Sequence, residues 1–386
     1  MERDSIKNSS TWKVVEIEMQ DKPITSSQFG VLVIIYTIGT SILITPAGLA
    51  AGAKQSAWLP ACLGLGIGLF MIFFLDYLGK QFPKLDFVQM CEQILGKWTG
   101  KIIALAFVFF TFIGGATTLS WVVGNFMVTQ VFAETPILAI NIPFVICVIY
   151  GARIGIQAMS RCAEIYLPWI FLLFLFLIIF SFKDFHIKNL LPVFEVEIKP
   201  LTRTTLSFMS VSSMPLVVML MIFPNISNPS SSKKAFLIGH SIGGILLIIT
   251  TIVTILVFGA GFTAMQSYPS YALAKRITVG QFLSRIEIIM AIIWIITIYY
   301  KCTIYFYASV KGLSKILELR NDKFLSIPLG MIMGALSPGI YRDTVYAAKW
   351  DVETWIPFAF TMGILLPVFL LAVHMCKNKL KRNPSQ

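Results

Sequence analysis

Apolar runs of about 20 residues alternate with short polar segments along most of this chain. Because a hydrocarbon core about 30 Å thick is crossed by about 20 residues of α-helix, most of these runs are long enough to span a bilayer. The pattern predicts an all-α polytopic membrane protein with ten transmembrane helices between residues 28 and 376. Residues 1–27 are predicted to form a cytoplasmic polar tail, and residues 377–386 a basic cytoplasmic tail.

The first apolar run, 28–51, contains residues that interrupt a helix. Four of them lie at or after its middle: Gly39, Thr40, Ser41 and Pro46. Glycine weakens a helix, and proline removes a backbone donor from it. Backbone without helical hydrogen bonds is tolerated in a membrane only where it is buried in protein or lines a wet cavity. The first helix is therefore predicted to be broken.

The sixth run, 206–224, has similar residues in its middle: Ser210, Ser212, Ser213 and Pro215. The ten runs divide into two halves of five, 28–182 and 204–376, and each half begins with an interrupted run. Two broken helices at corresponding places in two halves are the best sequence indication of a transporter-type binding site. The alternative for either run alone is a kinked helix in a bundle.

The positions of Lys and Arg indicate the orientation of the chain. With both termini inside, the predicted cytoplasmic segments hold about twice as many of these cations as the outer segments. An odd number of spans in each half makes the two halves inverted relative to each other in the membrane. Since the net charge of +12 follows this topology, we predict the lipid bilayer and not nucleic acid as its partner.

Breaking a helix within the membrane frees backbone groups that can bind a ligand. In the first run, the N–H groups around 40–43 and a positive helix end suit a carboxylate. The carbonyl groups at 208–211 suit an ammonium group. We therefore predict a site for a zwitterion such as an amino acid, although these polar groups could instead only satisfy one another. The predicted ligand-binding residues are Gly39, Thr40, Ser41, Ile42, Phe208, Ser210, Ser212 and Ser213.

Ionisable side chains within a span are costly unless they are paired or hydrated, which makes them functional candidates. Glu287 and Lys301 lie in the eighth run, on one helix face but about 21 Å apart along the axis. We assign both as candidate coupling or gating residues. Lys301 either takes the place of a coupling cation or extends toward the cytoplasm. Glu287 lies near the outer end, and His240 at the start of the seventh run is predicted to be interfacial.

Other chemistries receive little support from the sequence. The six cysteines are scattered without metal-ligand spacing, so no disulfide framework, metal site or cofactor is predicted. The segment 239–243 matches the G-x-S-x-G nucleophile elbow, but a polar turn precedes it where the elbow requires a strand. We interpret Gly243 and Gly244 as sites of close helix packing, and we predict that the chain is not an enzyme.

Five short segments carry a resemblance to a known family: 38–43 with Pro46, 161–164 with Pro168, 189–192, 221–224, and 285–287 with Trp294 and Lys301. In order and spacing they resemble the endospore germination permeases, the integral-membrane B subunits of nutrient germinant receptors within the amino acid–polyamine–organocation superfamily. The resemblance covers nearly the whole chain. Two positions depart from the superfamily pattern. Ser41 replaces the second Gly of G-x-G-I, and Met214-Pro215 stands where relatives often carry Gly-Glu.

The resemblance implies a LeuT-like fold, a 5+5 inverted repeat with the ligand between broken helices 1 and 6 and flanked by helices 3 and 8. It also implies a membrane A subunit and a lipoprotein C subunit as partners, in the inner membrane of the bacterial spore. Three functions stay open. The chain is a nutrient sensor that triggers germination, a cation- or proton-coupled secondary amino acid transporter, or a membrane scaffold without a ligand.

Overall fold

The computed structural model describes residues 23–277 and 285–382 of the chain. Within these ranges the regular structure is helical, and an isolated parallel β-bridge joins Ile24 to Ile226. Most of the predicted tail at 1–27 and the last four residues of the basic tail lie outside the described residues. The helices are α1 (Ser26–Ile38), α2 (Ser41–Ala53), α3 (Trp58–Gln81), α4 (Phe87–Leu95), α5 (Lys97–Gln130), α6 (Ile137–Ile154), α7 (Ile156–Ser181), α8 (Ile198–Ser212), α9 (Pro229–Met265), α10 (Pro269–Arg276), α11 (Glu287–Ile316), α12 (Lys323–Leu336) and α13 (Thr344–Lys379).

Nine of the ten predicted spans have the length and composition to cross a membrane. Among the described residues, eight helices meet this test, and the bent pair of α1 and α2 makes a ninth. The predicted ninth span corresponds to α12, which has 14 residues. At 1.5 Å per residue α12 is about 21 Å long, shorter than the hydrocarbon core. The count of ten therefore stays a prediction.

The first predicted break lies at Gly39 and Thr40, between α1 and α2. Gly39 has φ +26° and ψ −123°, a conformation that side chains disfavour, and the chain bends by 48° between the two helices. The last helical bond of α1 runs from the Gly39 N–H to the Ile35 carbonyl, at 2.9 Å. The interruption predicted from the glycine is confirmed.

Pro46 lies inside α2 and leaves one carbonyl without its helical partner. Because proline has no N–H, it cannot donate to the carbonyl four residues earlier, which is that of Ile42. The Ser270 hydroxyl of α10 donates to this carbonyl at 2.6 Å. A neighbouring helix thus satisfies the group that proline releases, as required in a membrane interior.

The second break is a change of helix type. The α-helical geometry of α8 ends at Ser212, and a 3₁₀-helix follows at Met214–Met221 with Pro215 in its first turn. Proline is tolerated there because the first N–H groups of a helix have no internal partner. Every residue of the 3₁₀-helix is buried. The predicted interruption of the sixth run is therefore confirmed.

The broken elements lie at the centre of the bundle. In the most apolar part of 198–221, 83% of the residues are buried. In the most apolar parts of α6 and of the segment that contains α7, only 28% and 22% of the residues are buried. α6 and α7 therefore expose most of their apolar surface. This arrangement encloses the two breaks in protein.

The glycines of the G-x-S-x-G segment allow α9 to pack closely on α1. A Cβ atom at Gly239 would lie 2.6 Å from the Gly30 carbonyl oxygen, and one at Gly243 would lie 2.7 Å from the Thr37 Cβ atom. Contacts this short require glycine. The segment lies within one long helix, without the strand-turn-helix geometry of a nucleophile elbow.

Candidate ligand site at the helix breaks

The Lys301 side chain joins the two breaks. Lys301 lies on α11 and is 2% exposed. Its ammonium group donates to the Val211 carbonyl at 2.7 Å and to the Thr40 hydroxyl at 3.4 Å. The same nitrogen lies 5.2 Å from the centroid of the Tyr36 ring, within cation–π range. A single positive charge is thus shared between the end of α8 and the start of α2.

Gly39 provides the space for the Lys301 side chain. A Cβ atom at Gly39 would overlap the Lys301 Cδ atom and would lie 2.9 Å from the Tyr36 carbonyl oxygen. One turn before Lys301, the Thr297 hydroxyl donates to the Gly39 carbonyl at 3.2 Å. α11 therefore contacts the first break through two residues on one face, and both contacts depend on the conformation of Gly39.

Three of the four carbonyl groups predicted to receive a ligand ammonium, those of Phe208, Ser210 and Val211, already accept hydrogen bonds from side chains. Besides Lys301, the donors are Ser41 to Val211 (3.3 Å), Trp355 Nε1 to Ser210 (3.0 Å) and Ser212 to Phe208 (2.8 Å). A carbonyl oxygen has two lone pairs, so Val211 can accept from both Lys301 and Ser41. Lys301 itself supplies the ammonium group that the Val211 carbonyl binds.

His240 links the breaks from the side of α9. It is fully buried, with its Nδ1 atom 3.2 Å from the Thr37 hydroxyl and its Nε2 atom 3.0 Å from the Ser213 hydroxyl. A neutral imidazole donates through one nitrogen and accepts through the other, and hydroxyl groups suit both roles. The prediction that His240 is interfacial is wrong, because α9 begins at Pro229 and His240 lies three turns inside it. Gly239 and Gly243, which pack against α1, were the sequence signal that this part of α9 is buried.

Gly68 of α3 provides a direct test of this packing. A Cβ atom at Gly68 would overlap the Ser213 hydroxyl and lie 2.8 Å from His240 Nε2, whereas a Cβ atom at Gly66 would meet nothing within 4 Å. We expect Gly68→Ala to destabilise the protein by about 1–3 kcal/mol, the usual cost of overpacking. Gly66→Ala is the matched control. Thermal unfolding of the purified proteins measures the difference, and equal melting temperatures would contradict the packing described.

Two adjoining cavities open beside the breaks. The inner cavity has a volume of about 50 Å³. Its lining includes Thr40, Gly114, Val211, Lys301, Tyr305 and Asp351. The vestibule has a volume of about 420 Å³ and is lined mainly by α2, α5, α8, the segment 264–268 and α13. Both are lined by Ile44, Val122, Val211, Asp351 and Trp355.

The predicted ligand residues occupy different places around these cavities. Thr40 lines the inner cavity, and Phe208 and Ser210 line the vestibule. The others lie at the breaks without lining either cavity: Gly39, Ser41, Ile42, Ser212 and Ser213. Their polar groups mainly connect the two broken elements to each other and to neighbouring helices. The predicted role of all eight residues in ligand binding stays a prediction.

The structure does not bring Glu287 to the breaks. Glu287 lies in the first turn of α11, and its Oε1 atom is 3.4 Å from Arg285 Nε. α11 is a continuous helix from Glu287 to Lys301, so the two residues are about 21 Å apart along its axis, as predicted. A gating role for Glu287 would therefore have to act at the N-terminal end of α11.

Sequence reasoning missed Asp351 and Trp355. The hydrophobic pattern predicts that the tenth span covers about 355–376, which leaves Asp351 in a loop and Trp355 at the span's first position. The structure begins α13 at Thr344 and includes a π-helical turn at Asp351–Trp355. Such turns are frequent at functional sites and are not visible as a simple hydrophobic period. The signal that was available is an acidic residue within one turn of a predicted apolar run.

At the other end of α11, an ion-pair cluster ties it to α5. The Glu318 carboxylate accepts hydrogen bonds from Lys101 at 2.8 Å and from Lys97 at 3.1 Å. These two ammonium groups lower the pKa of Glu318 to about 2. Lys101 also donates to the Ile316 carbonyl at the end of α11, at 2.8 Å. The two helices expected to flank the ligand are thus joined where α5 begins and α11 ends.

Comparison with known families decides the classification. Residues 23–339 match the family described as spore germination protein. The chain belongs to the spore germination protein family. It is 27% identical to spore germination protein KB of Bacillus subtilis over 94% of this chain and 97% of that protein. It is 26% identical to spore germination protein A2 of the same organism, over 89% and 93% of the two chains. The resemblance noted in the sequence is confirmed.

Solved structures identify the fold. MHP1, a nucleobase-cation-symport-1 family transporter, aligns with a TM-score of 0.62 at 11% identity, over 89% of this chain and 78% of that one. MhsT in complex with L-phenylalanine aligns at 0.60 and 15% identity, over 90% and 97%. A Na⁺-coupled sialic acid symporter aligns at 0.63 and 11% identity, over 92% and 78%. The chain is a multi-pass, germination permease-like membrane protein with the LeuT-like transporter fold.

Proposed function

We propose that this chain is the nutrient-sensing subunit of a spore germinant receptor. A small molecule, an amino acid by our prediction, binds between the two breaks and biases the protein toward one of two conformations. That change passes to a membrane A subunit and a lipoprotein C subunit and triggers germination. The chain lies in the inner membrane of the spore, with both termini in the cytoplasm.

The position of the Lys301 ammonium group is the observation that carries this proposal. It binds Val211 and Thr40 at the two breaks and also lines the inner cavity. A carboxylate placed in the cavity can accept a hydrogen bond from this cation and from the Thr40 hydroxyl, and charge-assisted bonds of this kind are strong. Ligand binding would thereby act on both broken elements at once, which is what a two-state response requires.

A covalently attached cation also favours a sensor over an ion-driven carrier. The solved relatives include a nucleobase-cation-symport-1 transporter and a Na⁺-coupled symporter. In this chain, an ammonium group that cannot leave the protein holds the carbonyl of the second break. Transport down an ion gradient needs an ion that binds and is released. The attached ammonium group fulfils the structural role without coupling to a sodium gradient.

This reasoning predicts binding that does not depend on sodium. Amino-acid affinity of the purified chain in nanodiscs should change by less than about twofold when Na⁺ is replaced by choline, because the Lys301 ammonium group occupies the place at the second break that a sodium ion would otherwise take. Isothermal titration calorimetry in the two buffers measures it. A requirement for Na⁺ would contradict the role given to Lys301 and favour the transporter alternative.

The alternative is a secondary amino acid transporter coupled to a cation or to protons. The vestibule of about 420 Å³ beside the inner cavity favours it, since a carrier needs an entry path. A sensor needs the same path for its ligand. Net uptake by the isolated chain in liposomes would therefore support the carrier, and its absence alongside ligand binding would support the sensor.

Germination of spores tests the proposal directly. Spores with and without this chain are exposed to amino acids, nucleosides and sugars, and release of core solutes is recorded. We expect deletion to abolish the response to one class of nutrient, and amino acids are the class expected. Unchanged germination with reduced uptake of a solute would replace the sensor with the carrier.

A further inference from the structure

Two opposite charges line the inner cavity. The Lys301 ammonium and the Asp351 carboxylate come from α11 and α13, and both residues line this volume of about 50 Å³. Lys301 has partners in Val211 and Thr40. Within the part of the chain that the structure describes, the Asp351 carboxylate has neither a hydrogen bond nor an ion pair. The cavity therefore presents a positive side with protein partners and a negative side without them.

The acceptors at the second break are not available to a ligand ammonium. Val211 accepts from Lys301 and Ser41, and Ser210 accepts from the Trp355 indole. A ligand with an amino group would have to displace one of these donors or find another acceptor. A carboxylate that lines the same cavity is the stronger acceptor, because hydrogen bonds between ions are about twice as strong as neutral ones.

We propose that Asp351 binds the ammonium group of a small zwitterionic amino acid whose carboxylate lies against Lys301 and Thr40. This inference rests on the proposed function and specifies the chemistry of the same site. An ion moved into a protein interior must be paired, or it loses much of its hydration energy. A zwitterion pairs both charges of the cavity, whereas a carboxylate alone or an amine alone leaves one of them unpaired.

The inner cavity also favours a small ligand. The lining of the inner cavity also includes the apolar side chains of Leu119 and Val122. At Gly114, an added Cβ atom would lie only 2.7 Å from the Trp355 ring. A volume of about 50 Å³ leaves little room beyond the charged groups. Glycine and alanine are therefore the expected ligands. Because Asp351 also lines the vestibule, it can meet the ligand ammonium during entry.

The test compares ligands that carry one or both charges. Isothermal titration calorimetry on the purified full-length chain in nanodiscs uses glycine, alanine, propionate and ethylamine. The wild type should bind alanine at least about 100-fold more tightly than propionate, since sites built to pair an N–H group reject analogues without it. Asp351→Asn should reduce this ratio to about tenfold or less, mainly through weaker binding of alanine. An unchanged ratio would overturn the proposal.

Two further variants separate this role from a structural one. Glu353→Gln removes a carboxylate two residues away that is 59% exposed and pairs only at 3.8 Å with Lys349, so it should keep the wild-type ratio. Asp351→Glu adds a methylene group to the cavity wall and should shift preference from alanine toward glycine. If Asp351→Asn does not fold, that shift decides the question, and its absence would contradict the role of Asp351.

The same titrations distinguish failure of this inference from failure of the proposed function. If the titrations are extended to all twenty amino acids, nucleosides and sugars and the wild type binds none of them, the nutrient-sensing proposal itself is wrong. If it binds larger amino acids but neither glycine nor alanine, the proposed function stands and the inference about Asp351 and cavity size fails.

Discussion

Gly39→Ala is expected to abolish both amino-acid binding and the germination response while the protein stays in the membrane. The added methyl group would overlap the Lys301 Cδ atom and lie 2.9 Å from the Tyr36 carbonyl oxygen. In addition, φ of +26° is unfavourable for alanine, at a cost of about 1–2 kcal/mol. Since Lys301 must move, its bonds to Val211 and Thr40 cannot both persist.

A matched control distinguishes this effect from general damage to a membrane helix. Gly66→Ala makes the same change in α3, where the new atom meets nothing within 4 Å. Immunoblots of spore membranes establish the amount of each protein, and dose–response curves of germination measure function. The account requires loss of response in Gly39→Ala at normal protein level and a normal response in Gly66→Ala. A normal dose–response curve for Gly39→Ala would show that the ligand does not bind at this break.

Lys301→Met is expected to weaken amino-acid binding by about 30- to 5,000-fold, the range for losing one partner of a buried charge pair. Methionine keeps the length of the side chain but removes the ammonium group that binds Val211 and Thr40. The inner cavity would then retain the Asp351 carboxylate without its opposite charge. A ligand carboxylate would enter a site with a net negative charge, which is unfavourable.

Lys315→Met controls for loss of a lysine from the same helix, because Lys315 is exposed near the end of α11.

A purely structural role for Lys301 would also weaken binding, so a rescue experiment is needed. In Lys301→Ala, added methylammonium can occupy the space of the missing ammonium group. We expect it to restore part of the affinity measured by calorimetry. If Lys301→Ala abolishes binding and methylammonium does not restore it, the role of Lys301 is structural only.

The sequence predicted the broken helices because both interruptions are local. Gly39 and Pro215 disfavour regular α-helix whatever surrounds them, and the structure places a change of geometry at each. The hydrophobic lengths likewise predicted most of the spans. α12 differs because a short apolar run does not show whether the helix crosses the membrane or stops within it.

The contacts around the site could be predicted only in part. Lys301 was recognised as a candidate because a charge within a span is unusual, but its bond to Thr40 joins residues that are 261 positions apart. Pairings over such distances depend on how the helices pack. His240 and Asp351 were misplaced for a related reason. Their helices begin earlier than the hydrophobic pattern indicates, so His240 is buried within α9 and Asp351 lies within α13 beside the inner cavity.

The most direct test of the central claim is protection of a single cysteine by the ligand. Thr40→Cys, in a chain whose six native cysteines are replaced by serine, places a thiol on the inner cavity wall. Thr202→Cys, on the exposed surface of α8, serves as the control. The account predicts that alanine slows thiol modification at position 40 with the concentration dependence of binding and leaves position 202 unchanged. If an amino acid binds the protein but does not change the rate of thiol modification at position 40, the ligand lies elsewhere.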